Sequence, residues 1–271
     1  MPAVEIDGVI YVPGGFSGPI GTADLEAYDI AQDTWKRGAP MPEGRHHLMA
    51  TAFKGRLYVI GGSVSLGWSP TSTIWSYDPA SDAWEQQAEM PEERMSGAAV
   101  PVGDTIYIVG GVGGSDRLLA FDPRSGTWRS FDGPRQPREH TAAVAFRGEL
   151  WAIGGRWSGD GELVSVEIFD PVAQTWRDGP ALQVGRGGFA AETVGDRIFV
   201  AGGEVIMAGR QALASMEIYD PQIGSWIAGP ELPFGVHGVD GVSYQGRFFL
   251  MGGSDRAAGI RNAGRVQIYA P

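Results

Sequence analysis

Residues Leu150-Trp151-Ala152-Ile153-Gly154-Gly155 form a short apolar run closed by two glycines, and the same pattern occurs at five other places in the chain. The in-phase pairs are Gly14-Gly15, Gly61-Gly62, Gly110-Gly111, Gly154-Gly155, Gly202-Gly203 and Gly252-Gly253, at intervals of 47, 49, 44, 48 and 50 residues. A fixed period of this length marks an architecture built from repeated units. Each run is almost continuously apolar, as expected of a strand covered on both faces. Ahead of it lies a strand of small residues, such as Ala142-Ala143-Val144-Ala145, and a glycine turn such as Arg147-Gly148 joins the two as a hairpin.

Beyond each glycine pair the chain supplies an aromatic residue and, seven positions later, a tryptophan: Tyr28/Trp35, Tyr77/Trp84, Phe121/Trp128, Phe169/Trp176 and Tyr219/Trp226. An aspartate follows each aromatic, with a proline behind it in four of the five, as in Asp78-Pro79. The carboxylate can accept from its own turn while proline presets the backbone, so a tight turn is predicted between third and fourth strands. Ten residues past each tryptophan stand Arg45, Arg94, Arg138, Arg186 and, in the last repeat, Val236.

Glycine pair, aromatic-Asp-Pro and tryptophan in this order resemble the kelch repeat over essentially the whole chain. That resemblance implies an all-β, six-bladed β-propeller, with four-stranded blades around a central channel. The single domain 1–271 divides into repeats at about 1–44, 45–93, 94–137, 138–185, 186–235 and 236–271. The glycines and the aromatic pairs are expected to serve packing between blades. The sixth repeat stops at its third strand, Val266-Gln267-Ile268-Tyr269, so 23 of 24 strands are predicted and the sixth blade lacks its outermost strand. The expectation is a native chain longer than these residues.

Forty-two glycines and 18 prolines fit many short strands and turns. A net charge of -11 opposes phosphate backbones and anionic lipid, so neither nucleic acid nor membrane is an expected partner. No apolar run reaches the roughly 18 residues of a membrane span, and the first residues, Met1-Pro2-Ala3-Val4-Glu5, lack the pattern of a secretion signal. Cysteine is absent, which removes disulfides, thiolate metal sites and cysteine nucleophiles while leaving the compartment open.

Spacing from tryptophan to the arginine position is constant, whereas the loop after the glycine pair varies in length. Variable loops on a rigid scaffold are where function is usually carried. All four histidines fall in the segment entering the first strand of alternate repeats: His46 and His47, His140, and His237. Three imidazole sites at roughly three-fold spacing around a channel could hold a metal or move a proton. A ligand-lining role is favoured over both, and no metal site or cofactor is assigned.

Arg45, Arg94, Arg138 and Arg186 are expected to form a partial ring on the same face, broken by Val236. In kelch-type substrate adaptors of ubiquitin ligases, arginines at such entry positions contact acidic peptides. The resemblance extends this role to Arg156, directly after Gly154-Gly155. Phe16, Trp68, Trp157, Glu204, Met207, Arg210, Asp255 and Arg256 could also shape the mouth. The expectation is a binding module with a cationic, aromatic-rimmed pocket for an acidic small molecule or acidic protein segment. The alternative is a sugar-acid isomerase or lyase using Glu139, His140 and Glu204 as acid-base groups. The oxidase chemistry known among kelch-like propellers needs a tyrosine–cysteine cross-link and is excluded here.

Overall fold

The computed structural model describes residues 2–17, 20–65, 68–207, 209–259 and 266–270. Blade four shows the unit from which the molecule is made. Ala142–Phe146 pairs with Glu149–Ile153, which pairs with Val166–Asp170, which pairs with Thr175–Asp178, all antiparallel. Blades one, two, three and five repeat this sequential order, and blade six is a three-stranded sheet of His237–Tyr244, Arg247–Ser254 and Val266–Tyr269. The first strands of successive blades lie against one another, and that of blade six lies against that of blade one, so the ring is closed.

Chain pattern explains the layering. The first strands converge on the axis, where only small side chains fit, and Ala50, Ala99, Ala143 and Ala191 line the channel. The second strands are the most buried: Leu57, Val59, Ile60, Ile106, Ile108, Val109, Leu150, Ala152 and Ile153 are all 0 % exposed. Between blades the apolar faces merge. One cluster joins Tyr58, Ile60 and Ile74 of blade two to Ile106, Ile108 and Phe121 of blade three.

The glycine pairs latch one blade to the next. Gly62 N–H donates to the carbonyl of Arg94 at 2.9 Å, and the same bond recurs from Gly15 to Arg45, Gly111 to Arg138, Gly155 to Arg186 and Gly203 to Val236. At Gly61 (φ 57°) a Cβ would lie 2.1 Å from that Arg94 oxygen, so no other residue fits. The tryptophans add a second latch farther out: Trp84 Nε1 donates to Ala39 O at 2.8 Å and Trp226 Nε1 to Pro180 O at 2.7 Å, each carbonyl belonging to the preceding blade. Trp35 of blade one has blade six as its predecessor and is 48 % exposed.

Candidate functional site

The four repeat arginines are not at the mouth. Arg45, Arg94 and Arg138 are 1 % exposed and Arg186 is 0 % exposed, each with its guanidinium turned inward onto carbonyls of its own blade and one nearby carboxylate. Arg186 donates through Nη1 to Gly202 O (2.8 Å) and Ser215 O (3.0 Å), and through Nη2 to Glu217 (2.7 Å). Arg138 does the same with Gly154 O, Ser165 O and Glu167. Arg45 and Arg94 take their carboxylates from Glu43 and Glu92, two residues upstream. Arginine is almost never fully buried unless paired, and here the pairing consumes the fork that a ligand would need. The expected cationic ring is therefore corrected to a buried set of clamps holding the glycine pairs.

Two residues after each arginine position the backbone turns left-handed: His47, Ser96, His140, Gly188 and Gly238 have φ of 52°, 59°, 48°, 61° and 62°. These residues join hand to hand around the opening. Ser96 N–H donates to His47 O (2.9 Å), His140 to Ser96 (2.7 Å), Gly188 to His140 (2.8 Å) and Gly238 to Gly188 (2.6 Å). The residue before each lies opposite the residue that follows a glycine pair: His46 faces Ser63, Glu139 faces Arg156, Gly187 faces Glu204 and His237 faces Ser254. Directly opposed positions bring side chains together, so this register builds the polar groups of the site.

Above the ring opens a cavity of about 480 Å³ whose lining includes Phe16, His46, His47, Trp68, His140, Arg156, Glu204 and His237. One wall is aromatic. Phe16 stacks on His46 (centroids 4.4 Å apart, 19° between planes), and Trp68 lies 4.9 Å from His47 and 6.4 Å from His140. His47 and His140, from blades two and four, meet edge to face at 5.0 Å. The three-fold spacing expected for the histidines thus gives way to one group of three rings, with His237 held apart. His46 Nε2 donates to the Ser65 carbonyl at 3.1 Å, so in the neutral pair His47 Nδ1–H donates to His46 Nδ1 at 2.6 Å.

The other wall is a chain of charges. Arg156 donates through Nε to Glu139 (2.6 Å) and through Nη1 to Glu204 (2.7 Å), and its Nη2 lies 3.3 Å from both ring nitrogens of His140. Glu139 also holds His140 Nδ1, and Glu204 reaches His237 Nδ1 at 3.2 Å. Burial alone would raise the Glu139 pKa, but bonds to His140 and Arg156 prevail and hold it at about 2. Burial would likewise lower Arg156, and the two carboxylates instead raise it above the usual arginine value. On the aromatic wall, burial first and then repulsion from His140 and His46 push His47 down to about 3. Burial also lowers His46, against a bond to the Ser65 carbonyl. Those two imidazoles are neutral at physiological pH.

Of the candidates from sequence, His46, His47, His140, Arg156, Glu204 and His237 line the cavity, with Glu139 bonded behind them. Trp157 is half-buried in a two-residue hairpin strand with Arg156 and stands outside the lining. Met207 is 78 % exposed on a neighbouring loop. Sequence reasoning missed Ser96 and Asp240, both of which line the cavity. Ser96 stands at the histidine position of its repeat, a signal that alignment on the glycine pairs contains. Among the described residues no group of three histidine, aspartate or glutamate side chains is placed to hold a metal ion.

A second cavity of about 290 Å³ lies within the channel along the first strands. Glu5, Glu192 and Asp240 line it. Burial first, then repulsion from Asp240 and Glu5, raises Glu192 to about 8. Asp240 rises to about 6 through burial, opposed by bonds from the Ala3 and Gly241 amides.

The ring of latched four-stranded sheets, with its loop-borne site at one mouth, defines a kelch-type propeller. The description "KLHDC2/KLHL20/DRC7 Kelch-repeats domain" matches residues 1–136, and "Kelch motif" matches 137–183 and 185–233. The chain belongs to the kelch-repeat family. It is similar to the Kelch-like protein terF of Aspergillus terreus, 32 % identical over 197 residues, covering 66 % of this chain and 43 % of that protein. It is also similar to Kelch-like protein 35 of Mus musculus, 32 % identical over 189 residues, covering 66 % of this chain and 31 % of that protein. The chain thus spans less than half the length of both relatives. Its fold superimposes on the structure of YjhT with a TM-score of 0.82 at 17 % identity, covering 99 % of this chain and 96 % of that one.

Proposed function

We propose that this propeller is a binding module that takes a protein segment at the mouth bearing Phe16, His47, Trp68 and His140. Kelch propellers are typically protein-binding, which sets the class of partner. One observation supports a contact there: Trp68 is 50 % exposed yet packs on His47 and His140 at the rim of the 480 Å³ cavity. A large aromatic left half in water beside a concave site is characteristic of a recognition surface. With the repeat arginines buried, the support for an acidic partner is withdrawn. Among the described arginines Arg156 reaches the cavity, and two carboxylates already hold it.

A displayed random-peptide library selected on the wild-type protein tests this reading. Sequences enriched on wild type are expected to be lost on a Phe16→Ala/Trp68→Ala variant of unchanged thermal midpoint. Equal enrichment on both proteins would place binding elsewhere and overturn it.

A further inference from the structure

Resting on that reading, we infer that the segment taken at the mouth presents a basic side chain, arginine or lysine, to the face of Trp68. Three independent features support this inference.

Charge comes first. Glu204 and Asp240 line the cavity, Glu139 lies behind Arg156, and among the described residues the one guanidinium in the lining is that of Arg156. Among the described residues, three carboxylates thus stand against one guanidinium at the mouth, on a body whose net charge is -11. Such a field draws in basic segments and turns acidic ones away.

The aromatic wall adds a matching surface. A guanidinium or ammonium is attracted to the face of tryptophan, more strongly once water is excluded. His46 and His47, held neutral by burial, do not repel an incoming cation, and while His46 spends Nε2 on the Ser65 carbonyl and Nδ1 on His47, the Nε2 of His47 can accept a ligand N–H.

The third feature is an unmet hydrogen bond. Ser96 lines the cavity at 6 % exposure, and its buried Oγ has no partner among the described residues. It lies between His47 and His140 in the ring of left-handed residues, the two rings on which Trp68 packs. A buried hydroxyl without a partner costs stability, and a donor that reaches the cavity floor between the His47 and His140 backbones would supply one.

Nα-acetyl methylamides of arginine, lysine, leucine and glutamate serve as probes, titrated into isotope-labelled protein and followed by NMR at the tryptophan indole N–H signals. The Trp68 signal is assigned by its loss in Trp68→Phe. Arginine and lysine probes should shift that signal saturably, and the glutamate probe should not. Trp68→Ala should weaken the arginine probe by about tenfold, and raising salt from about 0.05 to 0.5 M should weaken it further. If the leucine or glutamate probe binds at the mouth as well as arginine does, the basic occupant is wrong while the binding mouth stands. If none of the four perturbs the mouth up to about 20 mM, the basic occupant is overturned. The library selection separately decides the fate of the mouth itself.

Discussion

Arg186 and Glu217 meet at 2.7 Å between Nη2 and Oε1, the arginine side chain at 0 % and the glutamate at 4 % exposure. Glu217 also accepts from the amides of Gln183 and Val184, so one carboxylate fixes both the clamp and the loop that delivers it. Arg138 and Glu167 reproduce the arrangement one blade earlier, with the amides of Arg135 and Gln136.

Removing one member of such a pair leaves a buried charge without compensation. Glu217→Ala is expected to cost about 3–5 kcal/mol in chemical denaturation. The double variant Glu217→Leu/Arg186→Met should recover a large part of the loss. A loss below about 1 kcal/mol for the single variant would show that Arg186 finds another partner.

The tryptophan latches give a controlled comparison. Trp226 is 5 % exposed and donates to Pro180 O, whereas Trp35 is 48 % exposed. Trp226→Phe should destabilise by about 1–3 kcal/mol, from the orphaned carbonyl and lost volume, and Trp35→Phe by under about 0.5 kcal/mol. Equal effects on the denaturation midpoint would contradict the latch.

Glu192 makes stability depend on pH in a direction opposite to most carboxylates. Its folded pKa of about 8 exceeds the unfolded value, so the fold binds its proton more tightly. Its stabilising effect is complete below the unfolded pKa and is lost as pH rises through about 8. The thermal midpoint should fall between about pH 5 and 8.5, and Glu192→Gln should flatten that fall by at least roughly 2 °C. Parallel pH profiles would exclude the effect.

His47 acts on the acid side. Its folded pKa of about 3 lies below the unfolded value, so protonation favours the unfolded chain as pH drops below about 6.5. His47→Asn keeps a residue that tolerates the left-handed backbone and cannot titrate. The variant should lose less stability than wild type between about pH 6.5 and 4. An unchanged acid limb in a melting series would show that His47 carries no such load.

The fold was legible because its signals are local and repeated, the glycine pair six times, the aromatic–tryptophan pair five and the Asp-Pro turn four. The glycine pairs, the aromatic-Asp-Pro turns and the tryptophans each answer a backbone or packing demand that recurs at every blade. The depth of the arginines was not legible from phase alone, since a repeated position reveals register but not exposure. A companion signal does exist. Arg45 and Arg94 have a glutamate two residues upstream, while Arg138 and Arg186 have theirs at Glu167 and Glu217, two residues before the third-strand aromatic. Each arginine thus carries exactly one dedicated acid, a pattern of internal pairing rather than ligand capture. The grouping of His47 and Trp68 of blade two with His140 of blade four depends on loop paths between the blades, which no spacing encodes.

Val236 still accepts the Gly203 amide, but it brings no guanidinium to grip Gly252 as the arginines grip Gly61, Gly110, Gly154 and Gly202. The circle is therefore fastened unevenly. Thermal fluctuation will part it first around blade six, while blades two to five stay clamped. Solvent then reaches the amides of Arg247–Ser254 before those of Glu149–Ile153, and proteolysis would be expected to start at this gap. A propeller of this kind behaves less like a rigid wheel than like a belt whose buckle defines where it comes undone.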